Sequence, residues 1–220
     1  MALGKRLFPL FALALGLDEH YFDDKLRRPG HTMRVLYYPP QYGEIDAREL
    51  GIGAHTCVGA FALPHALSFL PDPLLPSRSC CGVEADSMYS ARRDYECFTL
   101  LLQHGDTQAL QVLNTAGEWV MAPPVPGTFV LNIADMLQRM SNGLFRSTVH
   151  RAINRSGVSR YSLPFFFGLD YDAEVAVIPS CVTPDRPALY EPIKAGDYVE
   201  QRLAETYIKK DPAQEVEAAA

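Results

Sequence analysis

From position 98 onward this chain is cut into short pieces, and that cadence limits its fold more than any other feature. Segments 98–103, 109–113, 118–121, 128–132, 148–153 and 159–167 are rich in aromatic, aliphatic and β-branched residues. Turn chemistry separates several of them, at Gly105-Asp106, Asn114 to Gly117 and Pro123 to Gly127. Pieces of this length are strands, too short for helices that must bury a face. Only 133–140 and 198–208 read as helices within this half. Many short antiparallel strands with few helices predict a mainly β domain with flanking helices, a double-stranded β-helix or jelly roll.

The first half is less regular. Met33 to Tyr38 reads as a strand closed by Pro39-Pro40, and Gly51 to His55 as a second, shorter one. At the N-terminus, Lys5-Arg6 and the apolar run after it imitate a secretory leader. The spacing of Leu7, Leu10, Phe11, Ala14 and Leu17 predicts instead a helix with those residues facing a core. Residues 1–30 are thus expected to be a helical remnant, 31–170 the main domain, and 171–220 a C-terminal extension with a helix.

With 220 residues, the chain can bury one substantial core. A formal net charge of −6 argues against nucleic acid or an anionic membrane as the main partner. No run of about 20 apolar residues offers a membrane span. Five cysteines, an odd number, do not suggest a secreted disulfide scaffold, and a reducing, cytoplasmic setting is expected.

Residues 57–93 break the rhythm. They hold three of the five cysteines and four prolines, with no sustained period of 2 or 3.6. A segment like this inside a compact domain is unusual in itself.

Several pieces in a fixed order carry a family resemblance. They are Leu36-Tyr37-Tyr38-Pro39-Pro40, Gly51-Ile52-Gly53-Ala54-His55-Thr56, Asp94-Tyr95-Glu96-Cys97-Phe98-Thr99-Leu100-Leu101-Leu102-Gln103 and Ala109-Leu110-Gln111-Val112. Pro126 to Leu137, Ser141-Asn142-Gly143, His150-Arg151 and Arg160-Tyr161-Ser162 follow. In this series the chain resembles the iron(II)- and 2-oxoglutarate-dependent oxygenases related to isopenicillin N synthase and the plant and fungal small-molecule dioxygenases.

The resemblance implies an Fe(2+) site on His55, Asp94 and His150, two imidazoles and one acid on one face of the metal. It places the grip for the distal carboxylate of 2-oxoglutarate on Arg160 and Ser162, with Tyr38 helping to hold the same co-substrate. The implied reaction consumes O2 and 2-oxoglutarate and hydroxylates, desaturates or cyclises a small organic molecule. Two other outcomes stay open: an iron oxidase that does not use 2-oxoglutarate, and an interrupted or truncated member that is catalytically impaired.

The physics suits these positions. Residues i and i+2 of a strand share a face, so His-x-Asp brings two ligands to one ion. Arg160 and Ser162 also share a face, and a guanidinium fits a carboxylate with two parallel hydrogen bonds. Here, however, 38 residues lie between His55 and Asp94. Joining Thr56 to Asp94 restores an unbroken motif, so residues 57–93 are expected to be translated non-coding sequence, such as a retained intron. The resemblance also implies further chain ahead of this starting point.

Other candidates have plainer readings. His104-Gly105-Asp106 repeats the His-x-Asp spacing, but in a turn whose side chains would face solvent. Cys80-Cys81 lacks the second pair of a zinc site. His20, His31 and His65 read as surface residues, and Cys97 as a small buried hydrophobe. Trp119 and Phe165 to Phe167 read as core, and Asp135 as the start of a helix.

Overall fold

The computed structural model describes residues 1–40 and 94–207. Among them, ten strands and three helices are formed: α1 (Ala2–Ala14), β1 (Pro29–Met33), β2 (Leu36–Tyr38), β3 (Phe98–Gln103), β4 (Leu110–Leu113), β5 (Trp119–Met121), β6 (Val130–Ile133), α2 (Asp135–Met140), β7 (His150–Ala152), β8 (Arg160–Asp170), β9 (Glu174–Val175), β10 (Ile193–Lys194) and α3 (Ala195–Tyr207).

A five-stranded sheet runs β1-β8-β3-β6, with β2 paired to the other end of β8, and a three-stranded sheet runs β5-β4-β7. All these pairings are antiparallel. The small β9–β10 ribbon follows. The two larger sheets form the jelly roll expected from the cadence. The strand read over Met33 to Tyr38 begins earlier, at Pro29, and divides into two around Arg34 and Val35. The second strand read at Gly51 to His55 and the segment 57–93 both lie outside the described residues.

Strand alternation sorts the larger sheet into two faces. In β3, Phe98 and Leu100 are buried on one side while Thr99, Leu101 and Gln103 point to the other. In β8, Phe165 and Phe167 share the first side; Arg160, Ser162, Pro164 and Phe166 share the second. Phe98 pairs with Phe167 and Gln103 with Ser162, so the faces are continuous across the strands. The first face packs on α1 through an aromatic cluster. Phe8 lies 5.4 Å from Phe98 and 5.9 Å from Phe167, and Phe98 stacks on Phe167 at 5.5 Å.

Helix α1 uses Gly4, Phe8, Phe11 and Ala12 for this contact. Leu10, expected to face inward, is 60% exposed, and Ala14 is exposed as well. The run has leucines on most sides, so its period could not choose a face; the fit of two phenylalanines and one glycine does. Gly4 lets the helix approach, since a Cβ there would stand 2.4 Å from the Phe167 ring. Gly4→Ala should gain about 1 kcal/mol of helix propensity. It should lose about 1–3 kcal/mol to overpacking against a ring that is itself stacked. The expected net result is destabilisation, read by denaturant titration.

Candidate functional site

The second face of the large sheet looks toward the small one, and the expected site residues among those described gather between the two. Asp94 precedes β3 and is held by two side chains from adjacent strands. Thr99 Oγ1 donates to its Oδ2, and Asn132 Nδ2 donates to the same oxygen at 2.8 Å. Thr99 and Asn132 are direct partners in the β3–β6 ladder, which is why both reach one carboxylate. With Oδ2 occupied, Oδ1 is left toward His150.

His150 begins β7 in the small sheet. Its Nδ1 lies 3.1 Å from the Thr148 carbonyl, which can only accept, so Nδ1 carries the proton. In the neutral ring this leaves the Nε2 lone pair free, 3.8 Å from Asp94 Oδ1. That separation is too long for a hydrogen bond and wide enough for an ion bonded to each at about 2 Å. A carbonyl fixing the tautomer of a histidine is also the usual arrangement behind a metal ligand. Among the described residues no three His, Cys, Asp or Glu side chains gather at metal-holding distance. His55, the expected third ligand, lies outside them.

Arg160 begins β8 and is 2% exposed, with Ser162 on the same face of the strand also at 2%. Arg160 Nη2 donates to Gln103 Oε1 at 3.2 Å, and its guanidinium carbon lies 4.8 Å over the Tyr38 ring. Tyr38 is the register partner of Arg160, so the stack follows from strand pairing. Burial presses the Arg160 pKa down, and neighbouring Tyr38 works against it. Its Nε and Nη1 find no hydrogen-bond acceptor among the described residues. A buried cation with idle donors is costly by itself and well suited to a carboxylate guest. The structure therefore brings Tyr38, Arg160 and Ser162 together, and Asp94 with His150, on one interior surface.

Glu96 also lies in this region, 8% exposed, with Oε2 lacking a partner among the described residues. Its carboxyl is pushed up to about 8, first by burial and then by Asp94, with Arg34 opposing. Next to it Cys97 is fully buried, and burial followed by Glu96 pushes its thiol well up, as befits a small core residue.

Three supporting residues, Thr99, Asn132 and Gln103, escaped the sequence reading, as did the buried Glu96. The three supports could have been found by marking alternate positions on the strands that carry the motifs. Two aromatic assignments need correction. Trp119 is half-buried rather than core, with the Arg151 guanidinium stacked on it at 3.9 Å. It shares the outer face of the small sheet with Gln111, because Arg151 must point away when His150 points in. Phe166 belongs to the interior face, 5.6 Å from the Arg34 guanidinium carbon, while its neighbours Phe165 and Phe167 pack toward α1. His104 and Asp106 are exposed in a turn, and Asp135 is the first residue of α2.

Among the described residues no helix is long and apolar enough to cross a membrane. The sequence profile of the 2OG-Fe(II) oxygenase superfamily matches residues 29–169. The chain is 35% identical over 211 residues to a 2-oxoglutarate-Fe(II) type oxidoreductase of Metarhizium majus, covering 96% of this chain and 48% of that one. It is 34% identical to a homoarginine-6-hydroxylase of Glycine max over 178 residues, 79% of this chain and 43% of the other. A full-length Neurospora crassa protein, solved in complex with alpha-KG and thymine, superposes with a TM-score of 0.67 at 25% identity, covering 94% of this chain and 53% of that one. The chain spans about half the length of the curated relatives it matches. Profile, relatives and shared architecture agree: the chain belongs to the 2OG-Fe(II) oxygenase superfamily.

Proposed function

We propose that this chain is the core of an oxygenase that couples oxidative decarboxylation of 2-oxoglutarate by O2 to oxidation of a C–H bond in a small organic molecule. His55, Asp94 and His150 would hold Fe(2+), and Arg160, Ser162 and Tyr38 would hold 2-oxoglutarate. Residues 31–170 form the catalytic unit and 171–220 an extension. The bound iron supplies the site at which O2 and the keto acid react.

The chain's own residues have distinct tasks. Thr99 and Asn132 fix the Asp94 carboxylate with one oxygen free. The Thr148 carbonyl fixes His150 in the tautomer that presents Nε2. Arg160 receives the distal carboxylate of the keto acid on Nε and Nη1, while Gln103 and Tyr38 keep the guanidinium in plane. Ser162 adds a hydroxyl on the same face. The single observation that carries the reading is that buried guanidinium, with two donors that find no acceptor among the described residues, on the same surface as the Asp94–His150 pair.

A small-molecule substrate accords with relatives whose names specify homoarginine and with a neighbour solved with thymine. The test is succinate release from 2-oxoglutarate by the purified chain, with and without Fe(2+). Release that needs both iron and keto acid is expected. Uptake of O2 with iron but no 2-oxoglutarate would point instead to an oxidase, and the assignment of Arg160 would fall.

A further inference from the structure

The residues after Asp94 are not in a strand. Positions 95–97 form a bend, and the carbonyls of Asp94, Glu96 and Cys97 are tied to the start of α2. The N–H groups of Ala134, Asp135 and Met136 donate to the carbonyls of Cys97, Asp94 and Glu96, at 2.9, 2.9 and 3.0 Å. The first N–H groups of a helix have no partner within it. Here no side chain of the N-cap residue Ala134 answers them, and the Asp94 bend does.

The same end of α2 is held from the other side by α3. Tyr198 donates its hydroxyl to Asp135 Oδ2 at 3.0 Å, and Arg202 Nε lies 4.0 Å from that oxygen. Tyr198 and Arg202 are four residues apart, on one face of the helix. Arg202 also lies 5.6 Å over the ring of Tyr95, the residue next to Asp94. Asp135 itself is 6% exposed, so the Tyr198 bond to it is sheltered from water, while Arg202 is about a third exposed. Burial, and then Asp135, push the Tyr198 hydroxyl pKa up, keeping it a donor.

We propose that Tyr198 and Arg202 of the C-terminal helix are positioning residues for Asp94, acting through Asp135 and the backbone that α2 shares with residues 94–97. The inference rests on the reading of Asp94 as an iron ligand. It assigns α3 a part in metal affinity although α3 supplies no ligand. Outer partners of metal ligands commonly change affinity by about 10- to 100-fold. An effect at the lower end is expected here, because the link passes through the main chain.

The test uses Mn(2+) as the probe, titrated into the full chain by electron paramagnetic resonance. Tyr198→Phe keeps the ring that Arg139 stacks on at 5.1 Å and removes only the hydroxyl. Its Mn(2+) dissociation constant should rise about tenfold. Amide exchange at Asp135 and Met136 in the metal-free chain should quicken by a similar factor. Asn142→Gly is the control. It keeps the positive backbone φ of 50° but removes bonds to the carbonyls of Cys181 and Pro187 at the far end of α2. It should lower the melting temperature at least as much, yet leave Mn(2+) affinity within about twofold.

Equal affinity loss in both variants, or none in Tyr198→Phe, overturns the proposal. If Tyr198→Phe does not fold, Arg202→Gln takes its place with the same expectations. Should the parent bind no Mn(2+), the iron-site reading fails, and the exchange rates alone decide whether α3 holds the Asp94 bend; unchanged rates overturn it.

Discussion

Arg160→Met is expected to weaken 2-oxoglutarate binding by about 30-fold or more while making the ligand-free chain more stable. The first effect follows from removing the cation of a buried, hydrogen-bonded ion pair, which costs about 2–5 kcal/mol. Every 1.4 kcal/mol is roughly tenfold in affinity. The second effect has the opposite sign because Arg160 is 2% exposed, and its Nε and Nη1 lack acceptors among the described residues. Each buried donor left unpaired costs about 1–3 kcal/mol. Methionine fills similar length with no donors. Against this gain stand the lost bond to Gln103 and the lost stack on Tyr38. A net gain of about 1 kcal/mol should raise the melting temperature by about 2–4 °C in a chain of this size. Calorimetry of the free chain and titration with 2-oxoglutarate read the two effects separately. A lower melting temperature with unchanged binding would show that Arg160 is purely structural. Stability given up at a binding site is a common pattern, and the idle guanidinium is its physical form here.

Deleting residues 57–93 is expected to raise iron affinity by about tenfold or more. The deletion places Asp94 two positions after His55, a spacing that leaves the two ligands little freedom to separate. In the undeleted chain the two ligands are brought together across 38 intervening residues, and closing such a loop costs roughly 3 kcal/mol of chain entropy. Loss of preorganisation adds to that. The Asp94 end is already built: Thr99, Asn132 and the α2 backbone hold it whatever precedes it. The deletion thus has a fixed anchor to join. Iron titration of the two chains checks the result, and equal affinities would mean that the segment is a tolerated insertion. Transcript reads joining the Thr56 and Asp94 codons would support its being non-coding, whereas even coverage would count against that.

What could be read in advance depended on whether a signal was local. Strand β3 was expected at 98–103 and is found there, because Phe98 and Leu100 alternate with Thr99, Leu101 and Gln103 and a glycine turn follows. Strands β9 and β10 were missed, since two residues each leave no period to detect. The face of α1 was misread because leucines surround it, and only contact with Phe98 and Phe167 distinguishes Phe8 from Leu10. Trp119 was misplaced because its side of the sheet is decided by its register with Leu113 and by the outward turn of Arg151, not by its own size. Among the site residues, Tyr38, Asp94, His150, Arg160 and Ser162 came from motif order. Their supports Thr99, Asn132 and Gln103 come from other strands, and only pairing reveals which side chains meet.

Strand β8 does two things at once, and this limits how the gene can change. Its even-numbered residues from Arg160 to Phe166 form the interior face, and its odd-numbered ones from Tyr161 to Phe167 look the other way, toward α1 at the Phe167 end. Losing or gaining a single codon in this stretch would turn the guanidinium outward and a phenylalanine inward at one stroke. Drift at β8 must therefore proceed by replacement of side chains at constant length, while the turns around Gly105 and Gly117 remain free to lengthen.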